Sequence, residues 1–260
     1  MALPTPASTT TVVVTGASSG IGAELARELA RRGYGLTLVA RRADRLKALA
    51  DEIGAARGVT VAVEPADLSD RQDRERLLAA LATRTVVGLC NNAGYGNSGR
   101  FQEADLDKEQ AMVELNCAAP HHLMRALLPG FVAAGAGAVL NVASLAGVQP
   151  MPFMASYAAT KAFVLSLSEG VHAELAGTGV SVTALLPGPV HTEFEDRAGV
   201  DGGLAPELAY LEAPVVARQA VDGMASGRRT VVPSLKWKTA GLAGRFVPRT
   251  VYLPLAKRFF

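Results

Sequence analysis

The sequence predicts one α/β domain, doubly wound around a mostly parallel sheet of about seven strands. Three observations carry that prediction. Apolar, β-branched runs alternate with helical periodicities along most of the chain. The first strand-to-helix connection is rich in glycine. Hydrophobic residues make up 49% of 260 residues, enough to bury a substantial core.

The first strand, 11–15, is the buried run Thr11-Val12-Val13-Val14. It leads into Thr15-Gly16-Ala17-Ser18-Ser19-Gly20-Ile21-Gly22, with the spacing Gly-x-x-x-Gly-x-Gly. An amphipathic helix over 20–32 follows, and Gly33 stands where a C-terminal cap belongs. Strand, glycine turn and helix together aim free backbone N–H groups and the positive helix end at a diphosphate. Gly16, Ser18, Ser19, Gly20 and Ile21 are therefore candidate cofactor contacts. Further strands are expected at 35–40, 59–63, 86–90, 137–143, 180–186 and 230–233. Helices are expected near 42–56, 69–82, 106–130, 155–177 and 214–226. Ser69-Asp70-Arg71-Gln72 reads as a capping box for the third helix, and Gly177 and Gly179 stop the fifth. The stretch 189–213 breaks the alternation and reads as a mobile substrate flap. These boundaries give a domain over 8–233 and a tail over 234–260.

Composition narrows the function. The net charge is only +2, so no global basic field points to nucleic acid. After Asp222 no acidic residue occurs, whereas eight lysines and arginines follow. Cys90 and Cys117 supply neither a disulfide framework nor a metal cluster, and no metal is expected. His121, His122 and His172 fall on helices without ligand partners, while His191 lies in the flap. The N-terminal residues lack the charged and apolar regions of a signal peptide, and no apolar run is long enough to span a bilayer. A cytoplasmic, reduced protein is the expectation.

The chemistry centres on Tyr157 and Lys161, four residues apart and so on one helix face. A neighbouring ammonium favours the phenolate, which would make the phenol a proton donor and acceptor near neutral pH. Ser144 follows the apolar run Val139–Ala143, at the carboxyl end of a strand where such sheets bind ligands. Its hydroxyl would hold the substrate oxygen and share its developing charge. Asn116 interrupts a helix, where asparagine is a poor resident. The second strand ends Ala40-Arg41-Arg42, without the acid that binds ribose hydroxyls in NAD enzymes. Arg41 can pair with a 2′-phosphate, which favours NADP(H) over NAD(H).

As a set, these residues resemble the short-chain dehydrogenase/reductase family. The resemblance rests on Thr15-Gly16-x-x-x-Gly20-Ile21-Gly22, Asp67-Leu68, Asn91-Asn92-Ala93-Gly94, Asn116, Ser144, Tyr157-x-x-x-Lys161 and Pro187-Gly188-Pro189-Val190-x-Thr192, in the family's order. It covers about residues 10–233 and implies a Rossmann fold. It implies that Asp67 and Leu68 flank the adenine and that Asn92, Ala93 and Gly94 approach the adenosine ribose. Pro187, Gly188, Val190 and Thr192 would line the nicotinamide side. Lys161 would bind the nicotinamide ribose, and Asn116 would hold a water that links Lys161 to solvent. Oligomers in the family are typically dimers or tetramers built on the fourth and fifth helices.

The expected activity is interconversion of a carbonyl and an alcohol, with Tyr157 as general acid and base. The other class considered is an idle nucleotide-binding sensor or scaffold. Tyr95, Leu145, Met151, Phe153, Met154 and Phe194 are the candidate substrate wall, mostly apolar, which points to a lipophilic small molecule. The tail interleaves basic and apolar residues. It reads as a strap over the pocket or a subunit interface, ahead of a peripheral contact with anionic lipid. Pro248 and Pro254 limit any tail helix to short pieces.

Overall fold

A computed structural model describes residues 2–200, 206–234, 236–239 and 247–259. Its seven strands are β1 (Thr10–Thr15), β2 (Gly35–Ala40), β3 (Val61–Pro65), β4 (Thr85–Asn91), β5 (Gly137–Val142), β6 (Val180–Leu185) and β7 (Thr230–Val231). They form one sheet in the order β3-β2-β1-β4-β5-β6-β7, with every pairing parallel. Both faces are covered, which is why the strands read as unbroken apolar runs. Along β1, Val12 and Val14 face one layer and Val13 the other.

The first layer holds α1 (Gly20–Arg31), α2 (Ala43–Arg57) and α8 (Ala213–Ala225). The second holds α3 (Arg71–Leu81), α5 (Ala119–Ala134) and α6 (Ala155–Glu174). The order of strands reverses between β1 and β4, so their carboxyl ends open a crevice at this switch point. Buried amides cross the sheet beside that crevice. Asn91 and Asn141 are paired across β4 and β5. Asn91 Nδ2 donates to Asn141 Oδ1 at 2.9 Å, and Asn141 Nδ2 donates to Ser168 Oγ at 2.8 Å.

Several local expectations need correction. The third strand is Val61–Pro65, two residues later than expected, and it forms a sheet edge where Pro65 costs no interior ladder bond. The cap of α3 is Asp70, not Ser69. Asp70 accepts from the Gln72 and Asp73 amides, while the Ser69 hydroxyl donates to Asp67. Residues before 8 pack on the same unit, since Leu3 is buried in the core and the Ala2 carbonyl accepts from the Gly137 amide. The expected helix 106–130 is α4 (Leu106–Val113), a π-helical turn (Glu114–Ala118) and α5, in one continuous run. A short α7 (Phe194–Ala198) and a 3-10 turn (Glu207–Ala209) occupy parts of the flap, whose residues 201–205 lie outside the described residues.

The tail also departs from expectation. It forms an eleven-residue helix, α9 (Arg249–Phe259), that runs through Pro254. Pro248 stands before its first turn, and the Pro248 carbonyl accepts from the Val251 and Tyr252 amides. Among the described residues, no helix is long and apolar enough to cross a membrane.

Candidate active site

A cavity of about 770 Å³ opens at the carboxyl ends of the strands. Every residue expected to contact cofactor lines it, from Gly16 to Thr192. Ser144, Tyr157, Lys161 and Phe194 line it as well.

The phosphate turn is shaped by close packing. Gly22 is buried on α1, and a Cβ there would lie 2.3 Å from the Gly16 carbonyl oxygen. Ser19 is the N-cap of α1 but makes no side-chain cap bond. Its hydroxyl instead accepts from Arg42 Nη2 at 2.9 Å. The first-turn amides of α1 therefore remain available to an anion. Thr15 ties this turn to the next strand, because its Oγ1 accepts from the Asn92 and Ala93 amides at 2.9 and 3.0 Å. Asn92 Nδ2 returns a bond to the Thr15 carbonyl at 3.0 Å. The set fits a dinucleotide: an uncapped helix end, glycines without room for a side chain, and a guanidinium beside the turn.

The two arginines differ in placement. Arg41 is 68% exposed and lies 3.8 Å from Asp67. Arg42 bonds the Ser18 carbonyl and the Ser18 and Ser19 hydroxyls. Sequence reading singled out Arg41, yet Arg42 is the one locked against the phosphate turn. The signal was the pair of serines in the turn, whose hydroxyls need a donor.

At the other end, Ser144 caps a 3-10 turn (Leu145–Gly147) and accepts from the Ala146 amide at 3.1 Å. Tyr157 and Ser144 both line the cavity, and the Ser144 hydroxyl acts on the Tyr157 phenol. Burial pushes the Tyr157 phenol up to about 12, while the Ser144 hydroxyl acts the other way. The expected lowering by Lys161 is corrected: burial governs the phenol instead. Lys161 Nζ lies over the Tyr157 ring, 5.8 Å from its centroid, and donates to the Val142 carbonyl at 2.8 Å. Burial lowers the Lys161 ammonium to about 8.

Asn116 lies behind the cavity wall, in the π turn, 2% exposed. Its Nδ2 donates to the Tyr95 carbonyl and to Thr160 Oγ1, and its Oδ1 accepts from the Tyr95 amide. Thr160 in turn donates to the Tyr157 carbonyl at 2.8 Å. A Cβ at Gly94 would lie 2.9 Å from Asn116 Oδ1 and 3.4 Å from Lys161 Nζ, so only glycine leaves these groups in place.

The substrate wall comprises Tyr95, Leu145, Met151, Met154 and Phe194, with the Phe194 ring 5.2 Å from that of Tyr157. Phe153 is corrected. Its backbone is left-handed, with φ 61°, and its side chain borders a separate shallow recess instead. His191 is off the cavity wall, stacked on Tyr210. Among the described residues, the tail contributes Trp237 and Tyr252 to the wall. Trp237 Nε1 donates to the Ala209 carbonyl at 3.0 Å. A Cβ at Gly188 would lie 2.6 Å from the Trp237 ring nitrogen. The tail carries no motif, so nothing in the sequence selected these two.

The short chain dehydrogenase family profile matches residues 10–201. The chain belongs to this family. It is similar to the very-long-chain 3-oxoacyl-CoA reductase of Anas platyrhynchos, 37% identical over 187 residues, which is 70% of this chain and 60% of that one. Among solved structures, it is similar to a short-chain dehydrogenase from Sphingobium yanoikuyae in complex with NADPH. That match has 38% identity, a TM-score of 0.82 and coverage of 91% of this chain and 94% of the other. A bulky-bulky ketone specific alcohol dehydrogenase from Comamonas testosteroni matches with 34% identity, a TM-score of 0.78 and coverage of 90% and 92%. As a short-chain dehydrogenase, the chain is an NAD(P)-dependent oxidoreductase acting on CH–OH groups.

Proposed function

We propose an NADP(H)-preferring oxidoreductase that interconverts a lipophilic carbonyl compound and its alcohol. The observation that carries this reading is the buried Tyr157 phenol, set with Ser144 and Lys161 on the wall of a cavity that continues to the phosphate turn. When bound, the nicotinamide supplies or accepts hydride. Ser144 holds the substrate oxygen, and Tyr157 gives that oxygen a proton in reduction or removes one in oxidation. Lys161 would bind the nicotinamide ribose and stays close to the Tyr157 ring, 5.8 Å from its centroid. Asn116 holds the wall and the water that relays protons to Lys161.

Ala40 in the acid position, with Arg41 and Arg42 after it, supports NADP(H). The NADPH complex of the Sphingobium relative supports it too. The wall of Leu145, Met151, Met154, Phe194 and Trp237 supports a lipophilic substrate, as do the bulky ketone and long-chain acyl names of two relatives. Trp237 and Tyr252 on that wall support the tail as a strap over the pocket rather than a lipid contact. Exposed Val113, Val132 and Phe163, on the helices built for pairing in this family, support a homodimer or homotetramer. Two free cysteines support a cytoplasmic setting. An idle sensor would not need Ser144, Tyr157 and Lys161 together.

The test is NADPH oxidation followed by absorbance against a panel of lipophilic ketones and aldehydes. Turnover with bulky apolar members is the expected result. NADPH binding without turnover across the panel favours the sensor.

A further inference from the structure

Glu193 stands where the flap meets the adenosine end of the cavity. Its carboxylate gathers three arginines. Arg42 Nη1 is 3.1 Å away, Arg45 Nη1 2.6 Å and Arg197 Nη2 2.5 Å. The Arg45 bond, then that of Arg42, holds the Glu193 carboxyl down at about 2, so it is an anion at every physiological pH.

Arg42 is the partner that matters. It lines the cavity between the end of β2 and the phosphate turn, the region where an arginine accommodates a 2′-phosphate. Nε and Nη2 bond Ser18 and Ser19, and Nη1 gives one of its two N–H groups to Glu193. An incoming phosphate that takes Nη1 therefore meets the Glu193 carboxylate on the same nitrogen. The serines are neutral and position the guanidinium. Glu193 carries a like charge and repels a group bearing about −1.5 to −2. It is also the partner that leaves without being stranded, since Arg45 and Arg197 retain it.

Glu193 also belongs to the segment that shapes the substrate end. Thr192 before it packs on Gly20, and Phe194 after it contacts the Tyr157 ring. A single carboxylate thus ties the adenosine end to the wall over the phenol.

We propose that Glu193 is a cofactor-selectivity residue: it competes with the 2′-phosphate for Arg42, weakens NADP(H) relative to NAD(H), and links 2′-phosphate binding to the position of Phe194. The inference rests on the NADP(H) reading above and takes Arg42, rather than Arg41, as the arginine that meets the 2′-phosphate.

The test compares dissociation constants of the purified full chain and its Glu193→Gln variant for NADPH, NADH, 2′,5′-ADP and 5′-AMP. Removing one partly exposed charge should tighten NADPH and 2′,5′-ADP about three- to tenfold and leave NADH and 5′-AMP within about twofold. Equal shifts for phosphorylated and unphosphorylated ligands, no shift, or selective weakening of NADPH would each overturn the proposal. Glu193→Asp, which withdraws the carboxylate by one methylene, gives the same direction with a smaller shift if the glutamine variant does not fold. In the wild type, 2′,5′-ADP but not 5′-AMP should raise amide exchange over residues 193–198. The absence of that difference sinks the link to Phe194. Wild-type preference for NADH would refute the NADP(H) preference alone, because the Glu193 effect is read as a change in the ratio between variant and wild type.

Discussion

Tyr157→Phe removes one oxygen atom and little else. The ring stays between Phe194 and the Lys161 ammonium. The lost group is a single buried hydroxyl, and the Ser144 hydroxyl keeps its bond from the Ala146 amide. No polar atom is left stranded, so stability should change by about 1 kcal/mol or less. The proton donor, by contrast, is gone. With the phenol held up at about 12, it is protonated at neutral pH and is the acid that reduction requires. Turnover should fall by ~10²–10⁴, equivalent to about 2.7–5.4 kcal/mol of transition-state stabilisation. The activity loss thus exceeds the stability loss several-fold, and misfolding does not explain it. Ketone-dependent NADPH oxidation, a thermal melt and an NADPH titration measure the three quantities. A variant within a few-fold of wild-type turnover removes Tyr157 from the mechanism.

Other outcomes follow from the same geometry. Burial depresses Lys161 from 10.5 to about 8, so unfolding takes up a proton between those values and stability rises with pH across them. Lys161→Met should flatten that rise in urea midpoints of the cofactor-free protein, and an unchanged slope refutes the assignment. Arg41→Asp adds a charge that repels a 2′-phosphate, and Arg42→Gln removes the bonded guanidinium. Each should weaken NADPH more than NADH in titrations, with the larger ratio for the buried-side Arg42 if it is the principal reader. Gly188→Ala places a methyl 2.6 Å from the Trp237 ring, so it should displace the tail and raise KM for a bulky ketone; an unchanged KM argues that Trp237 does not touch substrate. Deleting 234–260 should lower Tm and alter KM, whereas salt-sensitive pelleting of the intact chain with anionic vesicles would favour the lipid contact instead.

The sequence was most legible where chemistry and local geometry coincide. β1 and its glycine turn were readable because β-branched residues and a Gly-x-x-x-Gly-x-Gly spacing act within a dozen residues. Tyr157 and Lys161 were readable because one helical turn relates them. Long-range partners were not. Glu193 lies 151 residues from Arg42, and Trp237 reaches Ala209 across 28, with no periodicity to announce either contact. Phe153 was misread because its left-handed backbone is set by the loop around it, not by its own preference. The direction of the Tyr157 shift was missed because pairing rules ignore burial, which outweighs them here.

The amides of Asn91 and Asn141 bear on how accurately the site can be reproduced from one folded molecule to the next. Where β4 and β5 pair, their residues are small or aliphatic apart from the two asparagines, and buried. A slip of two positions between β4 and β5 would keep each side chain on its face and forfeit little apolar contact. It would part the two amides, however, and leave buried donors and acceptors unpaired. The pair therefore works as a registration mark, set one residue before Asn92 and three before Ser144. The distance from phosphate turn to phenol is fixed by polar matching across the sheet, which tolerates no sliding.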